Sequence, residues 1–257
     1  GGADSLNVVI TNAADTHFGT LLVDDVETLS ITTTDTVQSG TNTIEIFTLA
    51  ANGDSVEMVT LEGAANLTLT TNSVVLTNVN ATDMTGNLML STNGIVAQTI
   101  TGGTGDDTLT AAGTSDVLLG GEGDDTLVAG DLAQLTGGAG ADTFDMTNVT
   151  TNVNSYATVV DAIAGDIIET SGVAFNAGIT IANTVVFQDY ANAAINVNDA
   201  DNTLSWFQFS GNTYVVQDVD NSDTDFTNGA DIVIQLTGLV DLSAASFNAT
   251  LGTIEIA

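Results

Sequence analysis

Three stretches decide the fold of this chain: GGTGDDTLT at residues 102–110, GGEGDDTLV at 120–128 and GGAGADTFD at 137–145. Each fits the nonapeptide pattern G-G-x-G-x-D-x-U-x, in which U is a large apolar residue. The second stretch begins 18 residues after the first, and the third begins 17 residues after the second. This spacing predicts a coiled chain in which each nonapeptide is a turn followed by a short strand.

The residues of each turn favour calcium. Glycine adopts backbone angles that are closed to other residues, so the chain curls tightly and aims its carbonyl oxygens at one point. The sixth residue of each nonapeptide (Asp107, Asp125 and Asp142) adds a carboxylate. Calcium takes about six to eight oxygen ligands, more than one turn supplies, so two stacked turns must share each ion. The pattern therefore predicts a calcium-binding parallel β-roll whose apolar eighth residues point inward.

Only one side of this roll carries the complete pattern. Two nonapeptides make one coil, so the intervening residues 111–119 form the opposite side, where Asp116 is kept but the glycine pair is missing. We therefore expect two calcium ions on the complete side, one in each gap between its three turns. The expected ligands, through carboxylates and carbonyls, are Gly102, Thr104, Gly105, Asp107, Gly120, Glu122, Gly123, Asp125, Gly137, Ala139, Gly140 and Asp142.

Composition limits the possible partners. The chain has 33 acidic residues and no lysine or arginine, a net charge of −33, which excludes nucleic-acid binding through basic side chains. Self-repulsion must be relieved by screening or by bound cations, and calcium is the cation that the turns favour. Cysteine is absent, so disulfides contribute nothing. With 43% apolar residues the chain can bury a core. It contains no run of 18 apolar residues, so membrane insertion is not predicted.

The sequence does not predict an enzyme. His17 is the only histidine, so neither a zinc site with several histidines nor a Cys/His pair can be built. Neither H-E-x-x-H nor G-x-S-x-G occurs, which argues against protease and lipase catalytic domains. We therefore expect no catalytic residues.

Strand signals dominate the remainder, and no amphipathic helix longer than about two turns is predicted. Residues 26–31 (VETLSI) echo 56–61 (VEMVTL) at a spacing of 30, which suggests strands stacked into a β-helix or a sandwich. Near the C-terminus, 206–209, 213–216 and 231–236 read as strands. We expect an all-β chain of four segments: a stacked-strand assembly region (1–92), the β-roll (93–145), a β-rich post-repeat region (146–202) and a C-terminal β unit (203–257).

The repeats resemble those of RTX (repeats-in-toxin) proteins, which Gram-negative bacteria export by type I secretion. Residues 142–168 look like the segment after the repeats in that family, and 206–247 look like its C-terminal secretion region. The N-terminal phrases VETL (26–29), NLTL (66–69) and VNATDMTG (79–86) are similar to phrases in RTX-type surface-layer (S-layer) proteins.

This resemblance implies a secreted, calcium-dependent structural protein that self-assembles into a lattice or filament of identical subunits at the cell surface. A region that anchors such proteins to lipopolysaccharide is expected to precede these residues. Two alternatives stay open: the C-terminal region of a large RTX adhesin, and the non-catalytic secretion tail of an RTX enzyme. An adhesin should stay monomeric in calcium, whereas a lattice protein should assemble.

Overall fold

The computed structural model describes residues 4–12, 16–35, 43–52, 56–150, 156–181, 186–197, 202–219, 225–227 and 229–257. The contacts of the chain divide it into two compact units. Unit 1 comprises 1–128 and 137–142, and unit 2 comprises 129–136 and 143–257. The division into four segments that the sequence predicts stays a prediction.

Unit 1 is built from short strands that follow one another along the chain. They are β1 (Ser5–Asn12), β2 (Thr16–Asp24), β3 (Thr28–Asp35), β4 (Thr43–Asn52), β5 (Met58–Gly63), β6 (Asn66–Thr71), β7 (Asn78–Met84), β8 (Leu88–Thr92), β9 (Thr99–Thr101), β10 (Thr108–Ala111), β11 (Val117–Glu122) and β12 (Thr126–Val128). Strand β13 (Gln134–Ala139) has residues in both units.

Successive strands of unit 1 alternate between two parallel sheets. One sheet has the order β1-β3-β5-β7-β9-β11 and the other the order β2-β4-β6-β8-β10-β12. Each coil of the chain therefore adds one strand to each sheet, which is the arrangement of a β-solenoid. The prediction of an all-β chain with a β-helix leading into a β-roll is confirmed, and the sandwich alternative for the N-terminal strands is wrong.

The register of the strands gives the length of each coil. Thr28 in β3 pairs with Met58 in β5, so the 30-residue echo is one coil of the solenoid. Thr99 in β9 pairs with Val117 in β11, which gives the 18-residue coil expected for paired nonapeptides. The stack runs without interruption through residue 92, because β7 pairs with β9 and β8 with β10. The calcium repeats are thus the last and shortest coils of the solenoid within unit 1.

The two-residue period of a strand separates the core of unit 1 from its surface. Leu29, Ile31, Val59 and Leu61 point inward and are fully buried. Burying an aliphatic side chain of this size contributes about 1.5–3 kcal/mol relative to leaving it exposed. The outward positions of β3, β5, β7 and β9 are mostly Thr, Ser and Asn, so these flat faces carry little charge.

Unit 2 has shorter strands and a helix. Its elements are β14 (Thr143–Asp145), β15 (Ala157–Val159), β16 (Ile167–Glu169), β17 (Ala174–Phe175), α1 (Phe187–Ile195), β18 (Thr203–Phe209), β19 (Asn212–Asp218), β20 (Ile232–Leu236), β21 (Ser246–Asn248) and β22 (Thr253–Glu255). The order β15-β20-β19-β18-β17 forms one sheet, in which β18, β19 and β20 are antiparallel. The three strands predicted near the C-terminus are confirmed.

Helix α1 packs its buried residues Ala191, Ala194 and Ile195 into a core cluster with Phe207 of β18 and Tyr214 of β19. It spans nine residues, slightly longer than the two turns that the sequence allowed. In the described ranges, no helix is long and apolar enough to cross a membrane.

Candidate calcium site

Three glycine-rich turns lie one above another on one edge of unit 1. Thr108 and Thr126, which follow the first two turns, are paired in the parallel register of β10 and β12. The Asp107 N–H donates to Asp125 Oδ1 at 2.8 Å, and the Asp125 N–H donates to Asp142 Oδ1 at 3.0 Å. The structure therefore brings the turns 102–107, 120–125 and 137–142 together in the predicted order.

The glycine pairs are required because the turns approach so closely. Gly121 and Gly138 have φ values of +128° and +108°, which L side chains rarely adopt. A Cβ at Gly121 would collide with the Gly103 carbonyl oxygen, and one at Gly138 with the Gly121 carbonyl oxygen. Glycine at these positions lets the backbone of one turn rest on that of the turn before it.

The sixth-position aspartates are buried and tie each turn to the preceding one. We call the row formed by Leu88, Asp107, Asp125 and Asp142 the position-six ladder. Its first bond is a donation from the Leu88 N–H to Asp107 Oδ1 at 2.8 Å. The second oxygen of Asp107 accepts from the Gly103 N–H at 2.7 Å. The carboxylates are therefore fixed in position by the backbone itself.

Oxygen atoms from neighbouring turns converge in the two predicted gaps. A Cβ at Gly102 would collide with both the Gly120 carbonyl oxygen and Asp107 Oδ2. A Cβ at Gly120 would collide with Asp125 Oδ2 and lie 2.6 Å from the Gly137 carbonyl oxygen. Each gap is thus lined by a carboxylate and a carbonyl from successive turns, the donor chemistry that calcium prefers.

Asp125 supports this fit most directly. It is 1% exposed, and its Oδ2 has no hydrogen-bond partner among the described residues. A buried carboxylate oxygen without a partner is costly unless a cation or a proton neutralises it. Burial, with the nearby charges of Asp107, Asp142 and Asp106, raises the pKa of Asp125 to about 7 despite the hydrogen bond from the Asp107 N–H. When bound, calcium supplies the missing positive charge.

Burial likewise raises the pKa of Asp107 above its ordinary value, against the lowering effect of its bonds from Gly103 and Leu88. Among the described residues, no three acidic or histidine side chains form a cluster that could hold a metal ion. Sites made largely of carbonyl oxygens do not require such a cluster. The individual ligand assignments, including those of Thr104 and Glu122, stay predictions; the Ala139 carbonyl already accepts a hydrogen bond from the Gly123 N–H at 2.8 Å.

The opposite side of the roll is organised differently. Asp116 is fully buried, its Oδ1 accepts from the Gln98 N–H at 2.8 Å, and its Oδ2, like that of Asp125, has no hydrogen-bond partner among the described residues. Gln98 occupies the equivalent position one coil earlier, since Thr99 pairs with Val117. Its side-chain Nε2 donates to the Leu76 carbonyl at 3.0 Å, so an amide fills the place of a carboxylate. Burial raises the pKa of Asp116.

A second row of side chains was not predicted from the sequence. We call the row formed by Asn66, Asn87, Asp106 and Asp124 the position-five ladder. Each Oδ1 of this row accepts a backbone N–H from the next coil. The bonds are Asn66 from Asn87 (2.9 Å), Asn87 from Asp106 (3.1 Å), Asp106 from Asp124 (3.0 Å) and Asp124 from Ala141 (2.8 Å). It runs in the opposite sense to the position-six ladder, where each carboxylate accepts from the coil before. The recurrence of Asn or Asp at intervals of one coil is the feature of the sequence that could have indicated this ladder.

The stacked turns, their buried carboxylates and the short parallel strands define a calcium-binding β-roll. Comparison with known families agrees: residues 96–131 match the model of the RTX calcium-binding nonapeptide repeat (4 copies). The chain therefore carries RTX calcium-binding repeats, of a kind typical of secreted proteins. The third nonapeptide, 137–145, lies beyond the matched residues. No curated protein matches the chain.

Proposed function

We propose that this chain is a subunit, or the C-terminal part of a subunit, of a calcium-dependent surface layer on a Gram-negative bacterium. The observation that carries the proposal is the continuity of unit 1. The strands β5 to β8 stack directly into the calcium repeats, so their geometry depends on the repeat coils being ordered. A strand geometry that depends on calcium binding suits a structural protein better than an enzyme.

The charge distribution supports assembly through calcium. Outward positions on the flat sheets of unit 1 are mostly uncharged, whereas Asp106, Glu122 and Asp124 are exposed on the turns. Two copies of a chain with a net charge of −33 repel each other unless cations neutralise the approaching surfaces. Calcium outside the cell would both order the turns and reduce that repulsion.

The same dependence suits export by type I secretion. Where calcium is scarce, the buried carboxylates of the position-six ladder lack a counter-charge and disfavour the folded chain. The chain would therefore leave the cell unfolded and fold outside. Attachment to lipopolysaccharide would use a region other than these residues.

Light scattering combined with far-UV circular dichroism during a calcium titration tests the proposal. We expect folding followed by growth into large particles, which electron microscopy should resolve as an ordered lattice. Magnesium at equal ionic strength is the control for simple charge screening, because its smaller, octahedral coordination suits these turns poorly. Folding that stops at a monomer would contradict assembly and favour the adhesin or enzyme-tail alternatives.

A further inference from the structure

Unit 2 contains a cavity lined by aromatic and neutral polar side chains. It has a volume of about 390 Å³ and lies where β18, α1 and the segment after β17 meet. Two of its lining residues are aromatic, Tyr190 and Trp206, and three others, Thr180, Gln208 and Ser243, carry amide or hydroxyl groups. The volume falls within the range of about 300–1,000 Å³ that small-molecule sites occupy.

The lining is held in place by the surrounding fold. The Ile179 N–H donates to the Trp206 carbonyl at 2.8 Å, which fixes one wall against β18. Tyr190 stacks on Phe207 with ring centroids 5.3 Å apart, which fixes the helix side. The Ser243 N–H donates to Asp241 Oδ1 at 2.9 Å, which shapes the turn that carries the Ser243 hydroxyl.

Trp206 leaves a polar group unused. It is 8% exposed, and its indole Nε1–H has no acceptor within the part of the chain that the structure describes. An indole N–H can only donate, and buried donors in native proteins nearly always have a partner. The Nε1 atom itself is buried, so a ligand in the cavity contacts the exposed edge of the ring rather than this donor.

The absence of charge narrows the ligand class. None of the described residues that line the cavity is acidic, although the chain has 33 acidic residues. An anion would enter the field of a chain with a net charge of −33. The carboxylate beside the cavity, Asp241, is already hydrogen-bonded to the backbone and side chain of Ser243. Aromatic rings with amide and hydroxyl groups match a molecule that has apolar C–H faces and neutral hydroxyls.

We propose that this cavity binds a neutral saccharide, either free or as the end of a glycan. The ring of Tyr190 and the exposed edge of Trp206 contact the C–H face of the sugar. Gln208 supplies an acceptor, since its Nε2 already donates to the Val240 carbonyl at 3.1 Å and leaves Oε1 available. This inference does not depend on surface-layer assembly, because all of these residues lie within unit 2.

The chain contains a single tryptophan, so fluorescence excited selectively at tryptophan, and not at the three tyrosines, reports on the surroundings of Trp206. The calcium-loaded full chain is titrated with methyl glycosides of glucose, galactose and mannose, each compared with its uronic acid. We expect a saturable change with at least one neutral sugar, with a dissociation constant on the order of 1 mM. The matching uronic acid should bind at least about tenfold more weakly because its carboxylate is repelled.

Substitutions separate binding from folding. Gln208→Glu keeps the shape but adds a charge, and should abolish the fluorescence response while the circular dichroism spectrum stays unchanged. Trp206→Phe, followed by calorimetry, should weaken binding about 3–10-fold through loss of the ring edge that lines the cavity. Leu251→Ala, at a residue 62% exposed and outside the cavity, is the matched control and should bind as the unaltered chain does.

Two results would overturn the proposal. One is the lack of a saturable response to any of the neutral sugars up to about 100 mM. The other is equal affinity for a sugar and its uronic acid, which would mean that the cavity does not select neutral ligands. If longer oligosaccharides bind with higher affinity than the methyl glycosides, the natural ligand is the end of a glycan rather than a free sugar.

Discussion

Asp125 and Asp116 are both buried aspartates of the same solenoid, yet they occupy opposite sides of it. Asp125 belongs to the middle glycine-rich turn and serves both predicted gaps, whereas the turn before Asp116 lacks the glycine pair. Each accepts one backbone N–H through Oδ1 from the preceding coil. They are therefore a matched pair for testing which side of the roll uses calcium.

Asp125→Asn should raise the calcium concentration needed for folding by at least about tenfold, because a charged ligand shared by two ions is lost. Asp116→Asn should leave that midpoint within about twofold. Far-UV circular dichroism during a calcium titration measures both. Equal shifts in the two variants would show that both sides of the roll bind calcium.

The raised pKa of Asp125 predicts how pH affects the calcium-free fold. Burial moves this pKa from its ordinary 3.8 to about 7, so between these values the folded chain holds a proton that the unfolded chain has lost. Stability without calcium should therefore fall as pH rises from about 4 to about 7, and then level off. Asp107 and Asp116 contribute in the same direction.

Urea unfolding in calcium-free buffer at several pH values measures this trend, and Asp125→Asn should make it shallower. With calcium present the trend should reverse, because protons compete with the ion for the same oxygens. Stability that rises with pH in the absence of calcium would contradict the assignment of a buried, uncompensated carboxylate.

At the scale of elements, two hydrogen-bond ladders of opposite sense join adjacent coils. Asn66 and Asn87 show that an amide serves the position-five ladder as well as the carboxylates of Asp106 and Asp124 do. Asp124→Asn should therefore keep the free energy of unfolding in calcium, whereas Asp124→Ala should lower it by about 1 kcal/mol.

Chemical denaturation of the two variants in saturating calcium gives the comparison. If Asn destabilises the chain as much as Ala, the charge of Asp124 matters more than its accepting oxygen, and the ladder has been misread. If neither variant changes stability, the ladder contributes nothing beyond the contacts of the stacked strands.

The sequence predicted the elements whose neighbours lie at a regular spacing. The echo between residues 26–31 and 56–61 is the pairing of β3 with β5, and the 18-residue spacing is the coil of the roll. Helix α1 was not predicted because it is short and is stabilised by tertiary contacts, with Phe187 5.4 Å from Phe207 between ring centroids. The short helix has no side-chain cap to signal its beginning.

The stacking of the three turns could be predicted because their residues recur, whereas the position-five ladder was missed because its residue type varies from coil to coil. Glycine and aspartate recur at fixed positions, so the three turns could be stacked from sequence alone. The position-five ladder uses Asn in two coils and Asp in two others. The nonapeptide pattern allows any residue at its fifth position, so it does not indicate this ladder. The cavity beside Trp206 depends on chain segments distant in sequence, which no local pattern reveals.

At the scale of the whole chain, the two units should respond unequally to calcium. All the predicted ligands lie in unit 1, whereas unit 2 has its own aromatic core around Phe207 and Tyr214. Calcium should therefore increase hydrogen-exchange protection in β10 and β12 far more than in β18 to β20. Mass spectrometry of peptic fragments measures this, and an equal increase in both units would show that they fold as one cooperative body.

The 18-residue coil makes the length of unit 1 adjustable in fixed increments. Because neighbouring strands lie about 4.8 Å apart, duplicating one coil such as 102–119 would lengthen the stack by that distance while repeating the same turn chemistry. In the assembly proposed above, gaining or losing whole coils would change the length of each subunit in steps of this size. The repeat therefore sets the length of the stack as well as forming the predicted ion site.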